Sequence, residues 1–305
     1  MTSPAGPAPG AALPAANVLL LRENDGQLEV LLTKRAAGLS FMAGLWVFPG
    51  GRLEEDDRSP ALVGHIAAEI FEPVRRRMLD RDGTPIPAAD ALALHVAACR
   101  ETFEESGVLL ARPDGGSVEC CDAPTLARAA AMRAADSTAA QFAALIQSER
   151  LQLQIDRLVY WSHWITPSAE RKRFDTRFFA IPVPDGQVAS VDRSELTHHA
   201  WLGEREIAAH TASGEMRMAP PTLATLQDLW TSHRRHGGLA AMIEGERGRE
   251  VPPILPKLVR ASSDEVEAVL PWDVEYPSLP GDGSNRPVAC PDYLRSLPTR
   301  RRFRA

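Results

Sequence analysis

At 305 residues the chain exceeds a usual single domain yet can be one domain carrying insertions. Hydrophobic residues at 44% and charged residues at 24% are ordinary for a globular protein with a sizeable core. The formal net charge of −6 argues against a surface built throughout for nucleic acid, but allows a local basic pocket for a phosphorylated small molecule.

Residues 1–15 are rich in Ala, Pro and Gly and lack a basic leader, so they are expected to form a disordered lead-in. The first apolar run, Val18 to Leu21, is far too short to cross a membrane. Cys99, Cys120, Cys121 and Cys290 include no Cys-x-x-Cys pair and suit neither a zinc knuckle nor a disulfide framework. A cytoplasmic protein with no membrane association is the expectation.

Val18–Arg22 and Leu28–Thr33 flank Glu23-Asn24-Asp25-Gly26, and Asn-Asp-Gly is hairpin-turn chemistry, so two antiparallel strands are predicted. Gly44–Phe48 reads as a brief strand stopped by Pro49-Gly50-Gly51. Residues 58–89 are polar, with one helix expected over Pro60–Leu79, and are treated as an insertion. A helix is predicted from Ala88 or Asp90 to Ser106, because Leu92, Val96, Cys99 and Phe103 recur at helical spacing and Gly107 suits the residue beyond its end.

Val108–Ala111 is expected as a strand and Pro124–Ser148 as helix in two pieces. Leu158–Thr166 and Phe174–Val183 are predicted strands joined by a polar loop, followed by a strand at Leu196–Leu202 and a helix at Thr222–His233. Residues 236–305 are expected to be an irregular, proline-rich extension with an untethered basic end at Arg300–Arg304.

The chemistry concentrates on the helix ending at Ser106. Glu101, Glu104 and Glu105 stand at i, i+3 and i+4 and share one face, where like charges repel unless a cation compensates. A hard divalent cation fits, and magnesium, or manganese in its place, suits phosphate chemistry because it takes carboxylates, waters and phosphate oxygens together. Arg100 is placed to lock a glutamate with its planar fork. Gly50 and Gly51 lack a Cβ, so a backbone carbonyl there, that of Gly50, can approach the metal.

Glutamates on a surface helix are usually only a solvated face. The order Gly-Gly, Arg-Glu, Glu-Glu, Gly is more specific, and with it the chain resembles the Nudix hydrolases. Their signature is Gly, five residues, Glu, seven residues, then Arg-Glu-U-x-Glu-Glu-x-Gly-U, with U bulky and apolar. Arg100-Glu101-Thr102-Phe103-Glu104-Glu105-Ser106-Gly107-Val108 matches the second half, and Gly51 with Asp57 in place of the first glutamate matches the other. Thr102 departs from the bulky apolar type. Counted from Gly51 the arginine belongs at position 65, but it stands at 100, an insertion of 35 residues.

The interruption, with Leu31-Leu32-Thr33-Lys34-Arg35, Trp46–Gly51, His163–Pro167 and Arg173–Phe179, resembles the subgroup of the peroxisomal coenzyme A diphosphatase over about residues 16–235. The resemblance implies a Nudix α/β/α sandwich with a mixed sheet in the α/β class. It also implies metal-dependent cleavage of a small-molecule diphosphate, coenzyme A or acyl-coenzyme A. Lys34, Arg35, Gly51 and Arg173 are expected near the substrate, with Arg171 and Lys172 in the same loop; any one of these basic residues is otherwise an ordinary solvated loop charge.

Three further readings stay open: hydrolysis of a dinucleotide or sugar nucleotide, a non-catalytic nucleotide sensor, and a homodimer, in which the insertion is one candidate contact. The general base is left between a box glutamate and Glu195. Asp175 is expected in a salt bridge or turn. His198 and His199 are expected on opposite strand faces, one exposed and one in the core, and His95 and Cys99 in packing.

Overall fold

The computed structural model describes residues 11–38, 42–59, 62, 68–115, 120–135, 138–190, 196–260, 265–282, 290, 295 and 300–304. Strands β1 (Leu13–Asn24) and β2 (Gln27–Arg35) form the predicted hairpin, with Asp25 and Gly26 both at positive φ, as its tight turn requires. β1 starts two residues earlier than the lead-in was expected to end, because Leu13–Ala15 already pair with Phe174–Thr176.

β3 (Trp46–Val47) joins β2, and β4 (Gly50–Arg52) turns back to pair with Ala15–Asn17. Farther along, β7 (Val159–Ile165) pairs antiparallel with β8 (Phe174–Pro182), and β8 runs parallel to β1. β9 (Leu196–Gly203) lies against β2. The result is a mixed seven-stranded sheet of order β3-β2-β1-β8-β7, with β4 and β9 off that path.

Strand alternation sends Val18 and Leu20 to one face and Leu19 and Leu21 to the other. The first face packs on the helices Ala88–Ser106, Ala123–Ala135 and Ala139–Ser148. The second packs on Pro220–His236 and Leu239–Glu246, so the Thr222 helix lies across the sheet from the Arg100 helix. This is the expected α/β/α sandwich.

Helix Ala88–Ser106 ends at Gly107, whose φ of 72° closes it as predicted. Its burial is wider than the single stripe, because Ala93, Ala97 and Ala98 are buried as well. Thr102 fits there because its hydroxyl donates to the Ala98 carbonyl at 2.7 Å. His95 and Cys99 are packing residues, with burial holding His95 down to about 4.

Three expectations change. Val108–Leu110 is not a strand, and the strand is β5 (Ala111–Pro113), paired with β6 (Leu151–Leu153). Of the insertion helix the described part is Ala68–Arg75; Phe71 meets His95 edge-on at 5.4 Å, and Arg177 donates to Leu79 O at 2.9 Å. The extension after His236 is not irregular throughout. It contains the helix Leu239–Glu246 and a three-stranded sheet of β10 (Lys257–Arg260), β11 (Glu265–Val269) and β12 (Arg300–Arg304). The basic end is thus tethered, paired with Glu265–Val269. Among the described residues no helix is long and apolar enough to cross a membrane.

Candidate active site

The Arg100 guanidinium organises the acidic face. Nε and Nη2 donate to the two Asp57 carboxylate oxygens at 2.7 and 3.0 Å, a bidentate pair whose members are 2% and 0% exposed. Nη1 donates to Glu101 at 3.0 Å and Glu104 at 2.8 Å, and Nη2 also reaches Arg52 O at 3.0 Å. Burial opposes the Arg100 charge, but its bonds to Asp57 and the charges of Glu101 and Glu104 outweigh that and hold its pKa above the usual range. The fold thus brings Asp57 to Arg100 across the insertion.

Glu105 is held from the loop. Its carboxylate accepts from the Gly50 N–H at 2.8 Å, tying the helix to the loop. Gly50 has φ of 151°, and a Cβ there would strike the Asn17 backbone and side chain. At Gly51 a Cβ would collide with the Glu101 carboxylate, so the second glycine makes room for that side chain.

Three carboxylates, Asp57, Glu101 and Glu104, therefore share one guanidinium. Burial pushes Glu101 up to about 7, and Glu104 is raised for the same reason. Glu104 Oε1 is buried with no hydrogen-bond partner. This surplus of buried, incompletely paired carboxylate oxygen suits a hard divalent cation. Among the described residues, however, no three His, Cys, Asp or Glu side chains converge as a ready-made metal cage. Arg100 draws Glu101 and Glu104 to itself, so a cation would compete with it for them.

These groups line one end of a cleft of about 920 Å³. Gly50, Gly51, Arg52, Glu54, Arg100, Glu101, Glu104 and Glu105 all reach it. Arg35 and Lys172 supply positive charge along it. Lys34 and Arg173 are absent from its lining: the register of the strand shifts between Lys34 and Arg35, and Arg173 is bound to Thr166 O and Asp282. No described residue of the 58–89 insertion lines the cleft.

Glu195 lies outside the described residues. His198 and His199 are both exposed rather than divided between surface and core. Asp175 is a salt-bridge residue: His163 Nε2 donates to it at 2.5 Å, and Arg177 pairs with it at 2.7 Å.

Two residues at the site were missed from sequence. Glu54 lies in the cleft and helps to raise Glu104; its closeness to Gly51 was the available signal. Arg133, on the helix Ala123–Ala135, donates to the carbonyls of Glu104 and Glu105 at 2.8 and 3.2 Å, and no local pattern announces that contact.

With that geometry in place, comparison with known proteins agrees with the fold and adds the lineage. A chain similar to this one is the acyl-coenzyme A diphosphatase NUDT19 of Xenopus laevis, 29% identical over 234 residues, covering 68% of this chain and 61% of that protein. The Homo sapiens protein of the same name is 28% identical over 216 residues, covering 63% and 58%. The chain thus spans about three fifths of the length of these curated relatives. A crystal structure of a NUDIX hydrolase from Alicyclobacillus acidocaldarius superposes with a TM-score of 0.57 at 26% identity, covering 77% of this chain and 96% of that one. The family model for the NUDT19 Nudix domain matches residues 8–229, and the chain belongs to that family.

Proposed function

We propose that the protein is a divalent-metal-dependent diphosphatase that hydrolyses coenzyme A or an acyl-coenzyme A to a 4′-phosphopantetheine and an adenosine bisphosphate. The observation that carries this is the meeting of Glu101, Glu104 and Glu105 with the Gly50-Gly51 loop at one end of a cleft. The names of the relatives supply the substrate class.

Glu101, Glu104 and Glu105 would hold magnesium or manganese, with the Gly50 carbonyl as a further candidate ligand. The bound metal would polarise a phosphoryl oxygen and lower the pKa of a water. Arg100, fixed by Asp57, keeps the glutamates from spreading into solvent and limits their repulsion. Water adds to one phosphorus, the bridging P–O bond breaks, and the water's proton passes to a box carboxylate. Arg35 and Lys172 meet the phosphates along the cleft. Two of the four free cysteines are buried, which suits a reducing compartment.

The test is coenzyme A hydrolysis with magnesium, in the wild type and in Glu104→Gln and Glu105→Gln. A loss of at least a hundredfold in kcat/KM for both, and silence with chelator, is expected. Unchanged rates in both variants sink the mechanism. Turnover of dinucleotides or sugar nucleotides in preference to coenzyme A moves the substrate, and tight binding without turnover makes the protein a sensor.

A further inference from the structure

The cleft exceeds what a diphosphate occupies, and part of its lining comes from outside the matched family region. Residues 8–229 carry the family match, whereas Pro256, Leu258, Ala268 and Leu270 of the C-terminal extension line the same cleft as the glutamates. Leu258 and Ala268 are direct cross-strand partners on one face of the β10–β11 ladder, and Leu270, just beyond β11, lines the cleft with them. Lys257 points away from that face and is buried, with Nζ donating to Tyr276 O at 3.0 Å and Leu279 O at 2.9 Å. Phe48, Trp164 and Phe178 line the same cleft.

The extension is fastened where it would have to be firm. Ile254 exchanges backbone hydrogen bonds with His163 and Ile165 on the β7 edge of the sheet, both at 2.9 Å. Arg249 binds Asp228 at 2.8 Å and stacks on Trp161 at 4.4 Å. The Tyr276 hydroxyl donates to Leu255 O at 2.6 Å.

We infer that the C-terminal extension is part of the substrate site, with Leu258, Ala268 and Leu270 closing an apolar chamber that receives the hydrocarbon end of a diphosphate substrate. This rests on the diphosphatase reading for the charged end, and the chamber sets which substrates bind well. Among the described residues, every side chain that the extension places in the cleft is apolar, and the carboxylates line the same space. Each methylene moved from water into such a chamber tightens binding roughly fourfold.

The full chain is titrated calorimetrically, with magnesium, against methyl and octyl esters of methylenediphosphonate, which cannot be hydrolysed. The octyl ester is expected to bind on the order of a hundredfold tighter or more. Leu258→Trp and Ala268→Leu, which fill the chamber, are each expected to cut that ratio about tenfold or more. No chain-length preference in the wild type overturns the proposal, and so does a preference that survives in both variants. Turnover of hydrolysable diphosphates is measured separately. A preference that collapses in the variants without turnover in any form upholds the chamber and rejects the diphosphatase, whereas turnover without preference does the reverse.

Discussion

Replacing Asp57 by Asn tests whether one buried ion pair organises the site. The substitution is nearly isosteric, so it leaves no cavity, and it changes charge and one acceptor. Wild-type Asp57 accepts two Arg100 bonds at 2.7 and 3.0 Å in a place 0% exposed to solvent. Asn keeps one acceptor and turns an amide N–H₂ toward a guanidinium N–H. One charge-assisted hydrogen bond goes, about 1.5–3 kcal/mol, and an unpaired buried donor adds about 1–3 kcal/mol. Glu101 and Glu104 still compensate part of the Arg100 charge, which places the expected loss near the lower end of the ~3–5 kcal/mol known for broken buried pairs. Urea unfolding is the assay: the midpoint should fall by an amount equal to ~3 kcal/mol with the slope unchanged. A loss below ~1 kcal/mol would refute the claim that the pair is desolvated.

Other perturbations follow from the same geometry. Gly51→Ala pushes a methyl group into the Glu101 carboxylate and should cut kcat at least tenfold while the circular dichroism spectrum stays native; full activity would mean Glu101 is not confined there. Arg133→Gln frees the carbonyls of Glu104 and Glu105 at the helix end, at a cost of about 1 kcal/mol by thermal melting. It should also lower kcat with KM little changed, with Arg133→Lys recovering part of the loss, whereas a purely structural role would leave kcat untouched. Burial opposes ionisation of Asp175, but His163 and Arg177 outweigh it and hold the carboxyl down to about 2 from an ordinary 3.8. A depressed carboxylate stabilises the fold above its unfolded pKa, so about 2 kcal/mol should vanish as pH falls from about 4 to 2. Asp175→Asn should flatten that part of an acid titration, and an unaltered acid limb would remove Asp175 from the account.

Local pattern revealed what local physics decides. The β1–β2 turn, the Gly107 helix stop and the i, i+3, i+4 glutamates each depend on residues within a few positions, so their sequence was enough. The Asp57–Arg100 pair was half visible: the signature supplied the spacing rule, and only the fold could show that residues 43 positions apart still come together. Lys34 and Arg35 looked alike because both are basic and adjacent, and only the fold, whose register shifts between them, shows that Arg35 and not Lys34 lines the cleft. The extension misled because proline-rich composition argues for irregular chain, while Leu258 and Ala268 gain their meaning from pairing with each other and from the β7 edge. Arg133 was invisible for the same reason, being a surface-type residue in an alanine-rich helix until the Glu104 carbonyl is set beside it.

The interrupted signature can be understood from the contacts that survive it. Gly50–Arg52 is held at the site by pairing with Ala15–Asn17, and the Arg100 helix by its packing against the same strand. Neither depends on a short connection. Lengthening the link between Asp57 and Arg100 from the signature's eight positions to 43 adds only ~1.5 kcal/mol of closure entropy. The bidentate pair is worth more than that when broken. Its second function explains why it stays buried, because Arg100 anchored to Asp57 presents only Nη1 to Glu101 and Glu104. A guanidinium free to swing would neutralise both glutamates and leave a cation less to bind. Asp57 therefore limits how much of the acidic face Arg100 can take.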